Sequence, residues 1–206
     1  MEIKKTFAKI WHFIWDDNSI WSWIVNIILA FVLIKFIVYP LLSIIFATSH
    51  PVVAVVSSSM EHNGLSFDKW WDKNNWYSKN GMTKEEFSSY TMKSGFNKGD
   101  IIVLLGKQPK DIKRGDIIVF QTAKREPIIH RVVAVSGNNG KYIYSTKGDN
   151  NQGQIKNQYV DETNIPESLV IGTAFLKIPV LGYVKILSVE FACSIYHFEF
   201  CLDGQI

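Results

Sequence analysis

The sequence predicts a mainly β protein, a coiled sheet or small barrel of short strands behind one N-terminal transmembrane helix. Three observations carry this. Residues 20–47 read IWSWIVNIILAFVLIKFIVYPLLSIIFA, 28 positions whose only formal charge is Lys35. Seven short runs rich in Val and Ile follow, each set off by Gly, Asp, Asn or Pro. Between the first and second of them, residues 61–98 have no period-2 pattern and mix aromatics with Lys, Asn and Ser. The whole chain of 206 residues is 47% hydrophobic and 14% aromatic, which excludes a disordered protein. Its net charge of +3 is too weak to argue for a nucleic-acid partner.

Residues 1–19 form an N-terminal arm carrying Lys4, Lys5 and Lys9. A spanning helix needs about 20 predominantly apolar residues. The 20–47 run exceeds that, so tilt or a kink near Pro40 is expected. A cleaved secretory signal has an apolar core of only about 7 to 15 residues, so the run reads as a retained anchor in a lipid bilayer. Lys35 is tolerable if it snorkels toward an interface, with 38–47 lying partly in that interface. The positive residues upstream, against none in Thr48–Pro51 downstream, put the N-terminus in the cytoplasm and residues 48–206 outside it. Trp11, Trp15, Trp21 and Trp23 fit an aromatic belt at the entry side.

The exposed part, 48–206, carries 18 basic and 16 acidic residues. Its strand candidates are 51–56, 100–106, 116–122, 127–135, 141–147, 169–178 and GYVKIL at 182–187. Several are apolar on both faces, which suits a coiled sheet with covered strands. In the 61–98 insertion, Thr83 followed three residues later by Glu86 predicts a short capped helix within 82–90. Trp70, Trp71, Trp76, Tyr77, Phe87 and Tyr90 fit three roles: resting on the membrane surface, covering a groove, or packing a small core of their own. The tail 187–202 is interrupted by Glu190, His197 and Glu199, so a second span is not expected. Cys193 and Cys201 lie roughly 12 Å apart if helical, too far for a disulfide. They could meet only in a hairpin, and they read as ordinary buried thiols.

Ser57-Ser58-Ser59-Met60 closes the first strand run, where buried hydroxyls gain nothing unless they are bonded or used. A serine nucleophile needs a base within reach and a group that orients the base. His130, inside PIIHRVVAV, is the one histidine in the β-rich runs. His12, His50, His62 and His197 fall in the arm, the membrane exit, the insertion and the tail. Thr146-Lys147-Gly148-Asp149-Asn150 runs from a strand into a turn that presents a carboxylate. Each feature alone has a plainer explanation: a polar turn, a satisfied core histidine, turn chemistry.

In chain order, the anchor, Ser-x-Ser-Met, two Gly-Asp-Ile-Ile-Val starts (99–103 and 115–119), Ile-His-Arg-Val and Lys-Gly-Asp-Asn resemble signal peptidase I. The branch is that of archaea and the endoplasmic reticulum, and the resemblance covers 20–60 and about 99–185. Bacterial relatives have a lysine base where this chain has His130. The resemblance implies a signal-peptidase-like catalytic domain with Ser59 as nucleophile, His130 as general base and the Ser57 hydroxyl in the oxyanion hole. Alternate strand residues share a face, so Ser57 and Ser59 can point into one site. Asp149 is the expected orienting acid and Asp161 the reserve, because the position six beyond Asp149, where the branch often has a second carboxylate, is Ile155. His62-Asn63 also departs from the pattern, which has Pro there and a short run to the first Gly-Asp; the insertion fills that run.

What the resemblance implies is hydrolysis of one peptide bond in a secreted or membrane preprotein, through an acyl-enzyme and without metal or organic cofactor. The partners would be preprotein signal peptides and the bilayer, with accessory subunits left open. Only Thr48–Pro51 separate the apolar run from a strand whose five residues span roughly 17 Å. That tether confines Ser59 near the bilayer surface, at the membrane of the cell or the endoplasmic reticulum. The rival expectation is a catalytically inactive, membrane-anchored β module that binds extended peptides. The separation of Ser59 and His130 discriminates the two.

Overall fold

The computed structural model of the protein describes residues 2–123, 126–138, 140–184 and 186–187. Cys193, His197, Cys201 and most of the apolar tail lie outside the described residues. The chain divides into two compact units, Met1–Ile45 and Phe46–Ile206.

The first unit is helical. Helix α1 (Glu2–Trp15) sets Ile3, Phe7, Ile10 and Ile14 on one side at helical spacing, with Lys5, Lys9 and His12 opposite. After a break at Asp16–Asn18, Ser19 caps helix α2 (Ile20–Leu33) by accepting from the Ser22 N–H. Ser22 and Asn26 are polar residues in an apolar helix, and both are used. The Ser22 hydroxyl donates to the Phe13 carbonyl at 2.6 Å, and the Asn26 amide donates to that of Ile14 at 2.9 Å. Those are carbonyls that the end of α1 leaves open.

A π-helical turn, Ile34–Val38, joins α2 to α3 (Tyr39–Ile45). There the Tyr39 N–H reaches back five residues to the Ile34 carbonyl. Pro40 has no N–H and its ring crowds the carbonyl four residues back, so the expected irregularity takes this form. The combined Ile20–Ile45 stretch of 26 residues, with a mean hydropathy of 2.5 in its most apolar window, is long and apolar enough to cross a membrane. The Lys35 ammonium stands 5.5 Å from the Phe36 ring and 5.9 Å from that of Phe31.

The second unit is a seven-stranded sheet, antiparallel at every pairing. It comprises β1 (Val52–Ala54), β2 (Ile101–Leu105), β3 (Ile117–Phe120), β4 (Ile128–Asn138), β5 (Lys141–Lys147), β6 (Ile165–Pro166) and β7 (Val170–Ile178). The spatial order is β1-β2-β7-β3-β4-β5-β6, an open, curled half-barrel. Register shifts at Val103/Leu104, Val119/Phe120 and Val132/Ala134 insert an extra residue on one strand of a pair, and such bulges bend and twist a sheet.

Strand β3 is buried on both faces. Ile117 and Val119 pack with Met60, Phe96, Ile102 and Leu104, while Ile118 and Phe120 pack with Val132, Tyr144 and Ile165. Covering both faces of a central strand removes the alternation expected of a half-exposed one.

The insertion folds into α4 (Phe67–Lys73), α5 (Trp76–Lys79) and α6 (Lys84–Ser88). Thr83 caps α6, its hydroxyl accepting from the Glu86 N–H. Trp70, Tyr77, Met82 and Phe87 are buried together with Val133 of β4. Of the three roles open to the aromatics, these residues pack a core, and they pack it against the sheet. Ring centroids lie 4.8 Å apart for Tyr77 and Phe87, and 5.2 Å for Trp70 and Phe87.

Two strand expectations change. The 51–56 run supplies only a three-residue strand, since Pro51 cannot donate to a ladder and the chain turns toward Ser57. GYVKIL is not a strand: Tyr183, Val184, Ile186 and Leu187 are helical, and the Ile186 N–H bonds the Gly182 carbonyl four residues back. Val180, at φ 65°, turns the chain out of β7 just before it. A run of six residues this short fits either period, and the turn decides.

Candidate active site

Ser59 sits in a turn, not on a strand. The Glu61 N–H closes the turn on the Ser58 carbonyl, and the fully buried Met60 side chain roots it in the core. The Ser57 and Ser59 hydroxyl oxygens are 3.2 Å apart, so the two still face one site.

His130 is buried on β4, paired with Ile118 of β3. Its Nε2 lies 2.9 Å from the Ser59 Oγ. Its Nδ1 contacts neither expected acid but the Oε1 of Glu162. Glu162 is fully buried and held from several sides. The Thr146 hydroxyl donates to Oε1 at 2.9 Å, the Ile155 N–H donates to Oε2 at 2.6 Å, and the main chain bonds both Thr146 and Ile155. A carboxylate held at both oxygens has one orientation left for an imidazole.

Asp161, the reserve, points away. Its carboxylate accepts from the Thr163 N–H and hydroxyl and lies 3.4 Å from Lys156. Glu162 was missed because neither the six-residue spacing nor the next acid marks it. The signal available was alternation: Glu162 has the parity of the buried Val160, and Asp161 the opposite one.

Asp149, expected on His130, instead serves the opposite face of β4. Arg131 grips it from Nε at 3.0 Å and Nη2 at 2.8 Å, and Tyr77 donates its hydroxyl at 2.7 Å. His62 Nε2 stands 3.2 Å away, its ring stacked on Trp70 at 3.7 Å. The remaining Arg131 N–H groups go to the carbonyls of Thr91, Met92 and Gly115, so all five donors are bonded. Burial alone would raise the Asp149 carboxyl, but the Arg131 charge and the His62, Arg131 and Tyr77 hydrogen bonds outweigh it and hold it well below the usual carboxylate range.

Gly148 lies between the two clusters. A Cβ there would fall 2.8 Å from His130 Nε2 and 2.8 Å from the Ser59 carbonyl oxygen, so only glycine permits this approach.

Lys147 is buried beside them, its ammonium donating to the Gly148 carbonyl and lying 4.5 Å from the Tyr77 ring. Burial lowers its pKa to about 8, with Asp149 and Glu162 only partly opposing. The folded value lies below the ordinary 10.5, so between these limits the unfolded chain binds the extra proton and stability rises with pH. Above pH 10 the raised Tyr77 hydroxyl opposes this, since the unfolded chain then loses its proton first. Lys147→Met is expected to flatten the rise and to stabilise the protein at pH 7 by up to about 3 kcal/mol. Thermal melts of both proteins at pH 7.5 and 9.5 check this; equal melting of the unsubstituted protein at the two values would refute it.

The family described as Signal peptidase, peptidase S26 matches residues 20–169. Among individual proteins, the chain is 39% identical over 106 residues to the signal peptidase complex catalytic subunit SEC11 of Candida tropicalis, covering 50% of this chain and 63% of that one. It is 35% identical over 106 residues to the SEC11 of Colletotrichum graminicola, covering 50% and 62%. To the human SEC11C subunit it is 34% identical over 102 residues, covering 48% and 53%. The matched part is thus a little over half of each relative's length.

Proposed function

We infer that this chain, which belongs to the signal peptidase family, peptidase S26, is a membrane-anchored serine endopeptidase that removes signal peptides from preproteins. The observation that carries this is the Ser59–His130–Glu162 line, with Ser59 Oγ 2.9 Å from His130 Nε2 and the Glu162 carboxylate on Nδ1. A module that only binds peptides has no use for a nucleophile, base and orienting acid in hydrogen-bond order.

In this mechanism the Ser59 Oγ attacks the scissile carbonyl carbon while His130 Nε2 takes its proton. The developing oxyanion is met by the Ser57 hydroxyl and the Ser59 main-chain N–H. The tetrahedral intermediate collapses as His130 protonates the leaving amine, giving an acyl-Ser59 ester and the free mature chain. Water then attacks the ester with His130 again as base, releasing the signal peptide and regenerating Ser59. The Glu162 carboxylate keeps the proton on Nδ1 in the resting state and balances the imidazolium during each transfer.

The catalytic residues are therefore Ser59, His130 and Glu162. Asp149 has a structural role through Arg131, and Asp161 takes no part. The apolar helix would hold the enzyme in the membrane with its N-terminus in the cytoplasm, at the endoplasmic reticulum or cell membrane, and partner subunits of a signal peptidase complex are part of this reading.

The test is cleavage of a preprotein by the detergent-solubilised chain, with the new N-terminus identified by sequencing. A single cut lost in both Ser59→Ala and His130→Ala is expected. Undiminished cutting by either folded variant rejects the assignment. His130→Lys is expected to stay inactive, because Glu162 on that residue would hold the ammonium charged and unable to act as a base.

A further inference from the structure

The 61–98 insertion does more than cover the sheet. Four of its side chains converge on the turn that follows β5. Tyr77 donates to the Asp149 carboxylate at 2.7 Å and Asn74 to the Asp149 main-chain carbonyl at 2.7 Å. Asn63 donates to the Asn150 side-chain oxygen at 3.0 Å, and His62 stands 3.2 Å from the Asp149 carboxylate. That turn in its own right holds the nucleophile. The Asn150 N–H donates to the Ser59 carbonyl at 2.8 Å, its side-chain amide donates to the Ser58 carbonyl at 3.1 Å, and Gly148 packs against both Ser59 and His130.

The insertion end of this chain of contacts is stiff. Asn74 closes α4, its main-chain N–H bonded to the Trp70 and Trp71 carbonyls. The Tyr77 ring is wedged between Phe87, Trp76 and Trp70. An aromatic core that only shielded β4 would need the ring of Tyr77 and not its hydroxyl, and would leave Asn74 free to face water.

We propose that the insertion is a positioning element of the active site, in which Asn74 and Tyr77 fix the Gly148–Asn151 turn and that turn fixes Ser59 against His130. The proposal rests on the assignment of Ser59 and His130 as nucleophile and base. Asn74 and Tyr77 touch neither the substrate nor the reacting atoms. They act through the placement of Ser59, and misplacement on the ångström scale costs up to about 100-fold in rate.

The experiment uses the full chain in detergent with a preprotein substrate. Tyr77→Phe keeps the ring and removes the donor; Asn74→Ala removes the other. Rates are taken per folded molecule, well below the lowest melting temperature in the set, so that lost stability alone leaves them unchanged. Each single variant is expected to lower kcat about fivefold and the double variant at least about 30-fold, with KM within about twofold. Glu85→Ala, on the exposed side of α6, serves as a control expected to change neither. Wild-type kcat in both single variants, or a loss confined to KM or to the melting temperature, overturns the proposal. Ser59→Ala run alongside separates the two readings: if it still cleaves, the catalytic assignment falls, and if it is dead while Tyr77→Phe and Asn74→Ala are fully active, only the positioning role falls.

Discussion

Glu162→Gln is expected to lower kcat for preprotein cleavage by about 10⁴-fold, because the acid sets the tautomer of the base and balances its charge. The amide is isosteric but has one donor end. Turned toward Ile155, its NH₂ meets the N–H that now donates at 2.6 Å to Oε2. Turned toward His130, it donates to Nδ1 and moves the ring proton to Nε2, where it faces Ser59 as a donor and cannot accept the hydroxyl proton. Either way the negative charge that balances the imidazolium is gone. Asp161→Asn, whose carboxylate is spent on Thr163 and Lys156, is expected to leave kcat within about threefold. Steady-state cleavage with the three proteins decides this. A Glu162→Gln enzyme within tenfold of wild type, or an inactive Asp161→Asn enzyme, would show that the acid on Nδ1 is not the working one.

Asp149→Ala is expected to act chiefly on stability. It leaves the Arg131 guanidinium fully buried without a counter-charge and strips the acceptor from the Tyr77 hydroxyl. Breaking a buried ion pair in this way costs about 3–5 kcal/mol. Denaturant unfolding in detergent should show that drop, and Glu162→Gln should show much less. Removing both charges in Arg131→Met/Asp149→Leu should recover a good part of it, since two buried charges replaced together leave neither unpaired. If Asp149→Ala unfolds at the same denaturant concentration as wild type, the pair is not what holds the insertion side of β4 together.

Much of this organisation is visible in the residues taken singly or in short runs. The N-terminal apolar helix is legible because a helix able to cross a membrane needs only a long apolar stretch, and 20–45 meets that condition by itself. Strands β2, β3, β4, β5 and β7 are legible because dense Val and Ile between Gly, Asp and Pro leaves few alternatives. The α6 cap is legible because a threonine at that position needs only the N–H three residues on, and the Thr83 hydroxyl accepts that of Glu86 within one turn. Ser59 and His130 could be paired on paper only through the ordered set of motifs around them, since nothing local says that residues 71 positions apart will meet.

What the sequence determined, then, is whatever depends on neighbours along the chain: the long apolar helix, the strand runs, the caps, and a short catalogue of residues equipped for nucleophilic chemistry. Tertiary structure alone decided which carboxylate meets His130. Asp149, Asp161 and Glu162 are equivalent as chemistry, and they are sorted by which side of a backbone each faces and by what already occupies the far side of β4. Arg131, adjacent to His130 and therefore on the opposite face, captures Asp149; the turn around Val160 aims Glu162 inward and Asp161 outward. The insertion's aim is of the same kind, because the hydroxyl of Tyr77 and the amide of Asn74 acquire a task only when packing against β4 brings them to the turn that carries Asp149.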